Sequence, residues 1–437
     1  MREMTMKTSM TRRTSVAAAA LTIAVIGLAG CSASGSAGGG GDAAKGTVTL
    51  WQRDGGVDLT DQVKAYEKAH PDVTVKISTI QADQYLTKLA NSARAGSVPD
   101  LVSYDIVNTP LLATQGLLAD ITDKAGKLPD KGDLAPAGVA IGRLDGKQYA
   151  LPVALTGSQM FWNKSLFEKA GLDPTKPPTS LAEVKAAAEK IQGLGGGVTG
   201  FSTLGGVGQA WTGFPGAWAK GGSVLTAAGK SQKAEFTSKN LVGMVDWYQD
   251  MWKSGLMQKT DEPNQDPGNV GQENALNGKV GIVFTGANTL TAKKADFGSA
   301  VGIPGVDGGS GSFLGGDEIG MTAGAKNSDG AWSLMKWLVS SKKAARIDLS
   351  QGWIAPDLTV AKSLATDEWS KDIVDTLAIG KLPKSIAYNA VINDPNGPWA
   401  QQSQKVIFQG ADASTALASA EKQANALIGQ AYSQVGK

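Results

Sequence analysis

The amino-acid sequence predicts an α/β fold divided into two lobes. Short apolar runs alternate with amphipathic runs, an order typical of a mainly parallel sheet covered by helices on both faces. The chain has 437 residues, more than one hydrophobic core usually organises, so two lobes fit its length. Its sequence shows no repeat of fixed period, which argues against a solenoid or a propeller.

The first elements of the body form a βαβαβ pattern. Residues 47–52 predict a buried strand, a helix follows behind Asp58 as a possible N-cap, and residues 73–77 alternate as a second strand. A helix over 83–95 and a strand over 100–104 complete the pattern. Ligands of such sheets bind beyond the carboxyl ends of the strands, so we expect a site there.

The rest of the chain carries further elements of both kinds. Asp145-Gly146 predicts a hairpin turn, and the strand over 149–155 that follows could cross between the lobes. Helical patterns occupy 164–170, 180–191, 240–253, 329–340, 368–379 and 413–432, and strand-like runs lie at 280–284 and 313–321.

The first 45 residues predict an export signal and a tether. A basic opening is followed by an apolar stretch over 16–30, too short for a membrane span, and then by Cys31. The preceding Leu28-Ala29-Gly30 makes the segment resemble the lipobox of bacterial lipoproteins. We therefore expect a signal peptide over 1–30, a lipid on Cys31, and a flexible Gly/Ser-rich tether over 31–45. A buried structural cysteine is the alternative.

Charge and composition exclude several classes of function. The formal charge is +2, and removal of residues 1–30 would leave about −1, so no basic field remains to hold nucleic acid. One histidine and one cysteine argue against a His-Cys zinc site and against cysteine catalysis. Residues 195–200 satisfy GxGxxG but follow a predicted helix, which indicates a turn. We expect no cofactor, no metal and no catalysis.

One segment resembles a known family. Residues 161–172 (FWNKSLFEKAGL), closed by Pro177-Pro178-Thr179, are similar to a motif of the family 1 extracellular solute-binding proteins, the sugar-type receptors of ABC importers that include the maltose-binding protein group. Residues 277–282, Gly315-Gly316 and residues 327–340 resemble further family segments in order and spacing. The likeness spans nearly all of residues 46–437.

The resemblance implies a two-lobed periplasmic-binding-protein-like fold of type II that closes around solute. It implies lobe 1 over 46–153 plus about 299–343, and lobe 2 over 154–298 plus about 344–437. Residues 153–156 would lie at the hinge, and the chain would return to lobe 1 near Ala300. It also implies an exported receptor that delivers a sugar to ABC permease subunits. With the lipid expected on Cys31, the receptor would be a monomer anchored to the outer face of the cytoplasmic membrane.

Candidate ligand residues combine aromatic rings with carboxylates and amides, because sugars present C–H faces and hydroxyl groups. Strand ends supply the first of these residues, and a helical spacing of seven would place Trp211 and Trp218 on one face. Asp317 and Glu318 are expected in a loop, and Asp83 could equally be an N-cap. The candidates are Trp51, Asp54, Asp83, Tyr104, Asp105, Trp211, Trp218, Asn288, Asp317, Glu318, Trp353 and Trp399.

Other functions stay open from the sequence alone. The same fold could bind a polyol phosphate, a peptide or a cationic solute, although only Arg53 lies near a proposed contact to read a phosphate. A surface adhesin or sensor would need no importer. A glycosidase would need two carboxylates at a suitable separation, and nothing in the sequence selects such a pair.

Overall fold

The computed structural model describes residues 44–262 and 270–435. The predicted signal peptide, Cys31 and nearly all of the predicted tether lie outside these residues. Across the two described ranges, no helix has both the length and the apolar character that crossing a membrane requires.

Twelve strands and seventeen α-helices make up the described part of the chain. The strands are β1 (Gly46–Arg53), β2 (Val73–Ile80), β3 (Leu101–Asp105), β4 (Arg143–Leu144), β5 (Lys147–Gln148), β6 (Ala150–Asn163), β7 (Thr199–Ser202), β8 (Val280–Gly286), β9 (Phe297–Ala300), β10 (Ile303–Pro304), β11 (Ser310–Met321) and β12 (Gly380–Lys381). The helices are α1 (Thr60–Ala69), α2 (Ala82–Arg94), α3 (Thr109–Thr114), α4 (Thr122–Gly126), α5 (Pro136–Ile141), α6 (Lys164–Lys169), α7 (Leu181–Gln192), α8 (Gln209–Trp218), α9 (Lys239–Lys253), α10 (Val270–Leu276), α11 (Ala287–Leu290), α12 (Ser328–Ser340), α13 (Lys342–Ser350), α14 (Leu358–Leu364), α15 (Glu368–Ala378), α16 (Pro398–Ile407) and α17 (Ala413–Ser433).

Ten of these described strands form one mixed sheet. Its main path runs β2-β1-β3-β11-β6-β8-β7, with β10 and β12 paired to β11 and β9 paired to β6. Strand β1 lies parallel to both β2 and β3, and β7 lies parallel to β8. The predicted βαβαβ start is therefore confirmed, and the parallel β1 and β3 bring their carboxyl ends to the same edge.

The two longest strands, β6 and β11, run through the middle of the sheet and connect its hydrophobic cores. Leu151 on β6 and Ile319 on β11 pack in a core with helix α12, whereas Phe161 and Leu314 pack in a larger core. Both strands are buried along nearly their whole length. A third cluster covers the opposite face of β3, because alternate residues of a strand point to opposite sides.

The predicted hinge residues lie where β6 and β11 pair. Thr156 pairs with Gly315, and Leu155 pairs with Gly316, which has a φ of +119° that side-chain-bearing residues rarely adopt. Leu155 also exchanges both backbone hydrogen bonds with Ile354, at 2.7 and 2.8 Å. The lobe boundaries remain a prediction, and the packing favours a return to lobe 1 on β11, after Leu314, rather than near Ala300.

Helix ends differ in detail from the sequence expectation. The N-cap of α1 is Leu59 rather than Asp58, although the Asp58 carboxylate still accepts the backbone N–H of Thr60 at 3.0 Å. Likewise Gln81 is the N-cap of α2, and Asp83 lies in its first turn. Each expected carboxylate thus lies within two residues of the cap. Several short helices, including α3, α4, α5 and α14, escaped prediction because runs of five to seven residues show too little periodicity.

Candidate functional site

A cavity of about 1010 Å³ opens between segments from both halves of the body. Its volume lies at the upper end of the range for small-molecule pockets. The residues that line it include Arg53, Asp83, Tyr85, Tyr104, Asp105, Asn108, Thr156, Trp211, Asn288, Thr289, Phe313, Gly315, Gly316, Trp353, Tyr388, Asn389, Asn393 and Asp394. Aromatic rings, amides and carboxylates therefore share one opening.

The ends of β1 and β3 supply a charged wall. Arg53 donates from Nε to Oδ1 of Asp317 at 2.7 Å, with its side chain 18% exposed. Asp105, at the end of the neighbouring parallel strand, accepts the backbone N–H of Val107 at 3.3 Å. Burial raises the pKa of Asp105, and the Arg53 charge opposes part of that rise. A cation and an acceptor thus lie together at the strand ends.

Trp211 lies against a glycine platform made by two strands. A Cβ atom on Gly286 would come 2.5 Å from Cη2 of Trp211, and one on Gly315 would come 3.1 Å from its Nε1. Oδ1 of Asn288 and Oγ1 of Thr156 would lie 2.6 and 3.2 Å from the same point at Gly286. The absence of side chains at both glycines lets the half-buried indole approach the backbone of both strands closely.

Hydrogen bonds join the two sides of the cavity. Nδ2 of Asn389 donates to Oδ1 of Asn108 at 2.6 Å, and Nδ2 of Asn393 donates to Oδ1 of Asn389 at 3.2 Å. Nearby, Nζ of Lys384 donates to the carbonyl oxygen of Ala140 at 3.0 Å. These contacts hold the segment over 384–395 against residues of the predicted lobe 1.

Six predicted site residues line the cavity: Asp83, Tyr104, Asp105, Trp211, Asn288 and Trp353. The structure brings them together although they are spread over some 270 positions of sequence. They come from both predicted lobes. Their role as ligand contacts remains a proposal.

Trp51 and Asp54 follow β1 as expected but do not line the cavity. The Trp51 ring packs beside α2 under Nζ of Lys88, which lies 5.0 Å from the ring centre. Asp54 turns to solvent and accepts the backbone N–H of Gly55 at 3.1 Å. From this strand end it is Arg53 that faces the cavity.

Trp218 and Trp399 lie in the larger core, which does not support the predicted ligand contacts. Trp218 is 3% exposed and donates from Nε1 to the carbonyl oxygen of Ser312 at 3.2 Å. Trp399 is fully buried, 4.5 Å from Phe214 between ring centres. A spacing of seven does put Trp218 on the side of α8 that carries Trp211, but about 10 Å farther along the axis, beyond the opening.

Asp317 and Glu318 occupy a strand rather than the expected loop, and both are fully buried outside the cavity lining. Asp317 accepts Nε of Arg53 and, at 2.9 Å, the backbone N–H of Val57. Glu318 points the other way and binds the hydroxyl of Thr109. Burial raises the pKa of Glu318 well above its usual value. Neither carboxylate is placed to accept a solute hydroxyl directly.

Sequence reasoning missed the segment over 388–395, which forms much of one cavity wall. Tyr388, Asn389, Asn393 and Asp394 line the opening from the π-helix Asn389–Asn393 and the residues that flank it. Such a segment has no helical or strand periodicity to identify it. The only available signal was composition, since asparagine, aspartate and tyrosine cluster there just before Pro398-Trp399.

The acidic residues of the described ranges do not assemble into a metal site: no three His, Cys, Asp or Glu side chains there are placed to share an ion. The groups that the cavity offers to a solute are its hydrogen-bonding side chains and its aromatic rings.

Curated relatives cover most of the chain. It is 28% identical over 326 residues to a putative binding protein of Brucella abortus. This match covers 72% of this chain and 76% of the relative. It is 24% identical over 366 residues to the diacetylchitobiose binding protein DasA of Streptomyces coelicolor, with 80% and 83% covered. A shorter match is to the sn-glycerol-3-phosphate-binding periplasmic protein UgpB of Brucella abortus. It is 33% identical over 104 residues, which cover 23% of this chain and 24% of the relative.

A solved structure shares the architecture. The cyclic alpha-maltosyl-1,6-maltose binding protein of Arthrobacter globiformis superposes with a TM-score of 0.71 at 25% identity, covering 88% of this chain and all of the other. The predicted two-lobed binding-protein fold of type II is confirmed by such neighbours.

A family model described as bacterial extracellular solute-binding protein matches residues 61–375. That match spans most of the chain and includes strands β6 and β11. Its members bind solutes outside the cytoplasm, which confirms the expectations of export and of a role without catalysis. The chain belongs to the bacterial extracellular solute-binding proteins.

Proposed function

We propose that this protein is the sugar receptor of an ABC importer and that it captures an oligosaccharide in the cavity between its lobes. The observation that carries this proposal is the mixed lining of one cavity: the half-buried ring of Trp211 lines it together with Asp105, Asn288, Asn389 and other hydrogen-bonding groups. Sugar rings need both kinds of contact at once.

The size of the cavity favours more than one sugar ring. About 1010 Å³ is as large as pockets that enclose drug-sized ligands. A single hexose would leave much of this volume to water. Relatives that bind diacetylchitobiose and a cyclic maltosyl-maltose support an oligosaccharide of two to four rings.

The charge of the lining favours a neutral sugar over a polyol phosphate. Among the described residues that line the cavity, Arg53 is the single basic side chain. Its charge is already balanced by direct contact with the Asp317 carboxylate. Three carboxylates, those of Asp83, Asp105 and Asp394, face the same space. A phosphate would have to enter beside them, and repulsion between like charges opposes that. The local match to UgpB keeps the phosphate ligand as the second candidate.

Delivery would depend on the lipid anchor and the tether. A lipid on Cys31 would keep the body at the outer face of the cytoplasmic membrane, and the tether over 31–45 would let it reach a permease. We expect the permease to receive the solute-bound protein with its lobes joined, and the Asn108–Asn389 hydrogen bond would help to hold them together. We expect the receptor to act as a monomer.

Titration of the purified protein with sugars tests this proposal. Maltotriose, mannotriose and diacetylchitobiose would be added while tryptophan fluorescence and heat of binding are recorded, with glycerol 3-phosphate as the competing class. We expect at least one sugar to bind near micromolar affinity, about −8 kcal/mol. If glycerol 3-phosphate alone binds, the sugar assignment is wrong and the receptor fold still stands.

The anchor is tested separately. Cells fed labelled palmitate should transfer the label to the wild-type protein and not to the Cys31→Ser variant, because the variant lacks the thiol that carries the lipid. Equal labelling of the two proteins, or no labelling of the wild type, would contradict the proposed lipidation.

A further inference from the structure

The three tyrosines that line the cavity differ in what their hydroxyl groups bind. The hydroxyl of Tyr85 donates to the carbonyl oxygen of Trp51 at 3.1 Å. That of Tyr104 accepts a hydrogen bond from the Thr109 hydroxyl at 3.0 Å. The hydroxyl of Tyr388 has no hydrogen-bond partner among the described residues, although its side chain is 96% buried.

Tyr388 and Asp105 line one cavity from two segments that are hydrogen-bonded to each other. The segment that carries Tyr388 is held to the segment that carries Asp105 by the 2.6 Å hydrogen bond between Asn389 and Asn108. Both residues line the same cavity. Burial raises the pKa of the Tyr388 hydroxyl well above its usual value, and the negative charge of Asp105 raises it further. The two side chains thus face one cavity from two joined segments and do not form a hydrogen bond with each other.

The carboxylate of Asp105 is also incompletely used. One oxygen accepts the backbone N–H of Val107 at 3.3 Å, and the described residues supply no hydrogen bond to the other oxygen. An ionised carboxylate can accept several hydrogen bonds. The Asp105 carboxylate can therefore accept a further hydrogen bond in the cavity, and the Tyr388 hydroxyl can donate one there.

We infer that Asp105 and Tyr388 bind a single hydroxyl group of the solute between them, and so determine which solutes let the cavity close. The solute hydroxyl would donate to Asp105 and accept from Tyr388. A hydroxyl is the simplest group that can do both, since an ammonium has no lone pair to accept and a phosphate dianion has no proton to donate. This inference rests on the proposed function, because the hydroxyl belongs to the sugar.

A conservative substitution isolates the phenolic hydroxyl. Tyr388→Phe keeps the ring, and because the hydroxyl has no protein partner the melting temperature of the free protein should stay within about 2 °C of wild type. Affinity for the tightest-binding sugar of maltotriose, mannotriose and diacetylchitobiose should fall about tenfold or more, since the solute hydroxyl loses its donor in a buried place.

Tyr66→Phe is the matched control. Tyr66 is fully buried away from the cavity, and its hydroxyl donates to Oγ of Ser333 at 2.9 Å. Its loss should lower the melting temperature and leave the affinity unchanged. The two variants thus have opposite signatures, which a general loss of folding cannot reproduce.

A double-mutant cycle with Asp105→Asn tests whether one solute hydroxyl links the pair. If both residues bind the same group, the affinity losses of Asp105→Asn and Tyr388→Phe should be markedly less than additive in the double variant. Wild-type affinity in Tyr388→Phe, or fully additive losses, would overturn the inference and leave the sugar receptor intact. If wild type binds none of the three sugars, the proposed function fails and this inference with it.

Discussion

Nε of Arg53 donates to Oδ1 of Asp317 at 2.7 Å, and Oδ2 of the same carboxylate accepts the backbone N–H of Val57 at 2.9 Å. The carboxylate therefore holds the arginine at the cavity edge and ties down the loop after β1. A Cβ on Gly56 would come 2.3 Å from Asp317, so this loop passes directly over the ion pair.

Loss of the Asp317 charge should weaken both folding and binding. Asp317→Asn leaves the nearly buried Arg53 without its direct counter-charge, and breaking such a pair costs about 3 kcal/mol. We expect the free energy of unfolding in urea to fall by about that amount, with weaker sugar binding as Arg53 moves. Asp250→Asn, which breaks the more exposed Lys185 pair, should cost less than about 1 kcal/mol. Equal losses would contradict this account.

A methyl group at Gly286 should displace the cavity indole. Gly286→Ala places a Cβ 2.5 Å from Cη2 of Trp211, so the ring must move and sugar affinity should fall at least tenfold. The matched control is Gly429→Ala in helix α17, where the new Cβ meets nothing within 4 Å. That change should stabilise the protein by up to about 1 kcal/mol and leave affinity alone. Unchanged binding in the Gly286 variant would show that the indole makes no contact with the solute.

Trp211 itself should report solute binding. Trp211→Phe keeps a smaller ring and should reduce affinity about tenfold, and it should abolish most of the fluorescence change on titration. Trp252 is also half-buried but packs against Phe408 in the larger core, with 4.9 Å between ring centres. Trp252→Phe should leave the fluorescence change and the affinity intact. A full fluorescence response without Trp211 would assign the signal to another indole.

Asp348 should make stability depend on pH. Its side chain is 1% exposed, and Oδ1 accepts Nε2 of Gln62 at 2.8 Å. Burial raises the pKa of Asp348 to about 7, whereas an unfolded aspartate titrates near 3.9. The folded state therefore holds the proton more tightly. This stabilisation is complete below about pH 4 and is lost as the pH rises to about 7.

Asp348→Asn should remove that dependence. The new amide can still accept from Gln62 and can also donate to Oε1 of Gln62, which has no partner among the described residues. We expect the variant to be more stable than wild type at pH 8 by a few kcal/mol at most, from 1.36 kcal/mol per pKa unit. Urea unfolding at pH 4.5 and pH 8 measures this. Asp61 is an exposed acidic residue on helix α1, next to Gln62. The Asp61→Asn variant should therefore keep the wild-type pH dependence.

The sequence was sufficient to predict the strand ends that meet the cavity. Parallel strands alternate with helices in a pattern that can be read locally, so the neighbouring ends of β1 and β3 could be placed together before the structure was known. What failed was the choice of side chain at one end. Strand alternation puts Trp51 and Arg53 on the same side of β1, so it does not decide between them, and the residue at the very end of the strand is the one that reaches the opening.

The tryptophans show why aromatic residues are hard to assign from sequence. Trp211 and Trp399 have the same chemistry, and each adjoins a proline- or glycine-containing segment, yet one lies on the cavity wall and the other is fully buried. The difference depends on packing between α8, α9 and α16, which are far apart in the chain. Tyr388 was missed for the complementary reason, since its segment follows no regular period.

The cavity walls come from both ends of the body, since Arg53 lies near its start and Asp394 near its end. A polypeptide synthesised only as far as β11 therefore has one wall and no enclosed cavity. The capacity to hold a guest arises only when the last quarter of the body has folded onto the first.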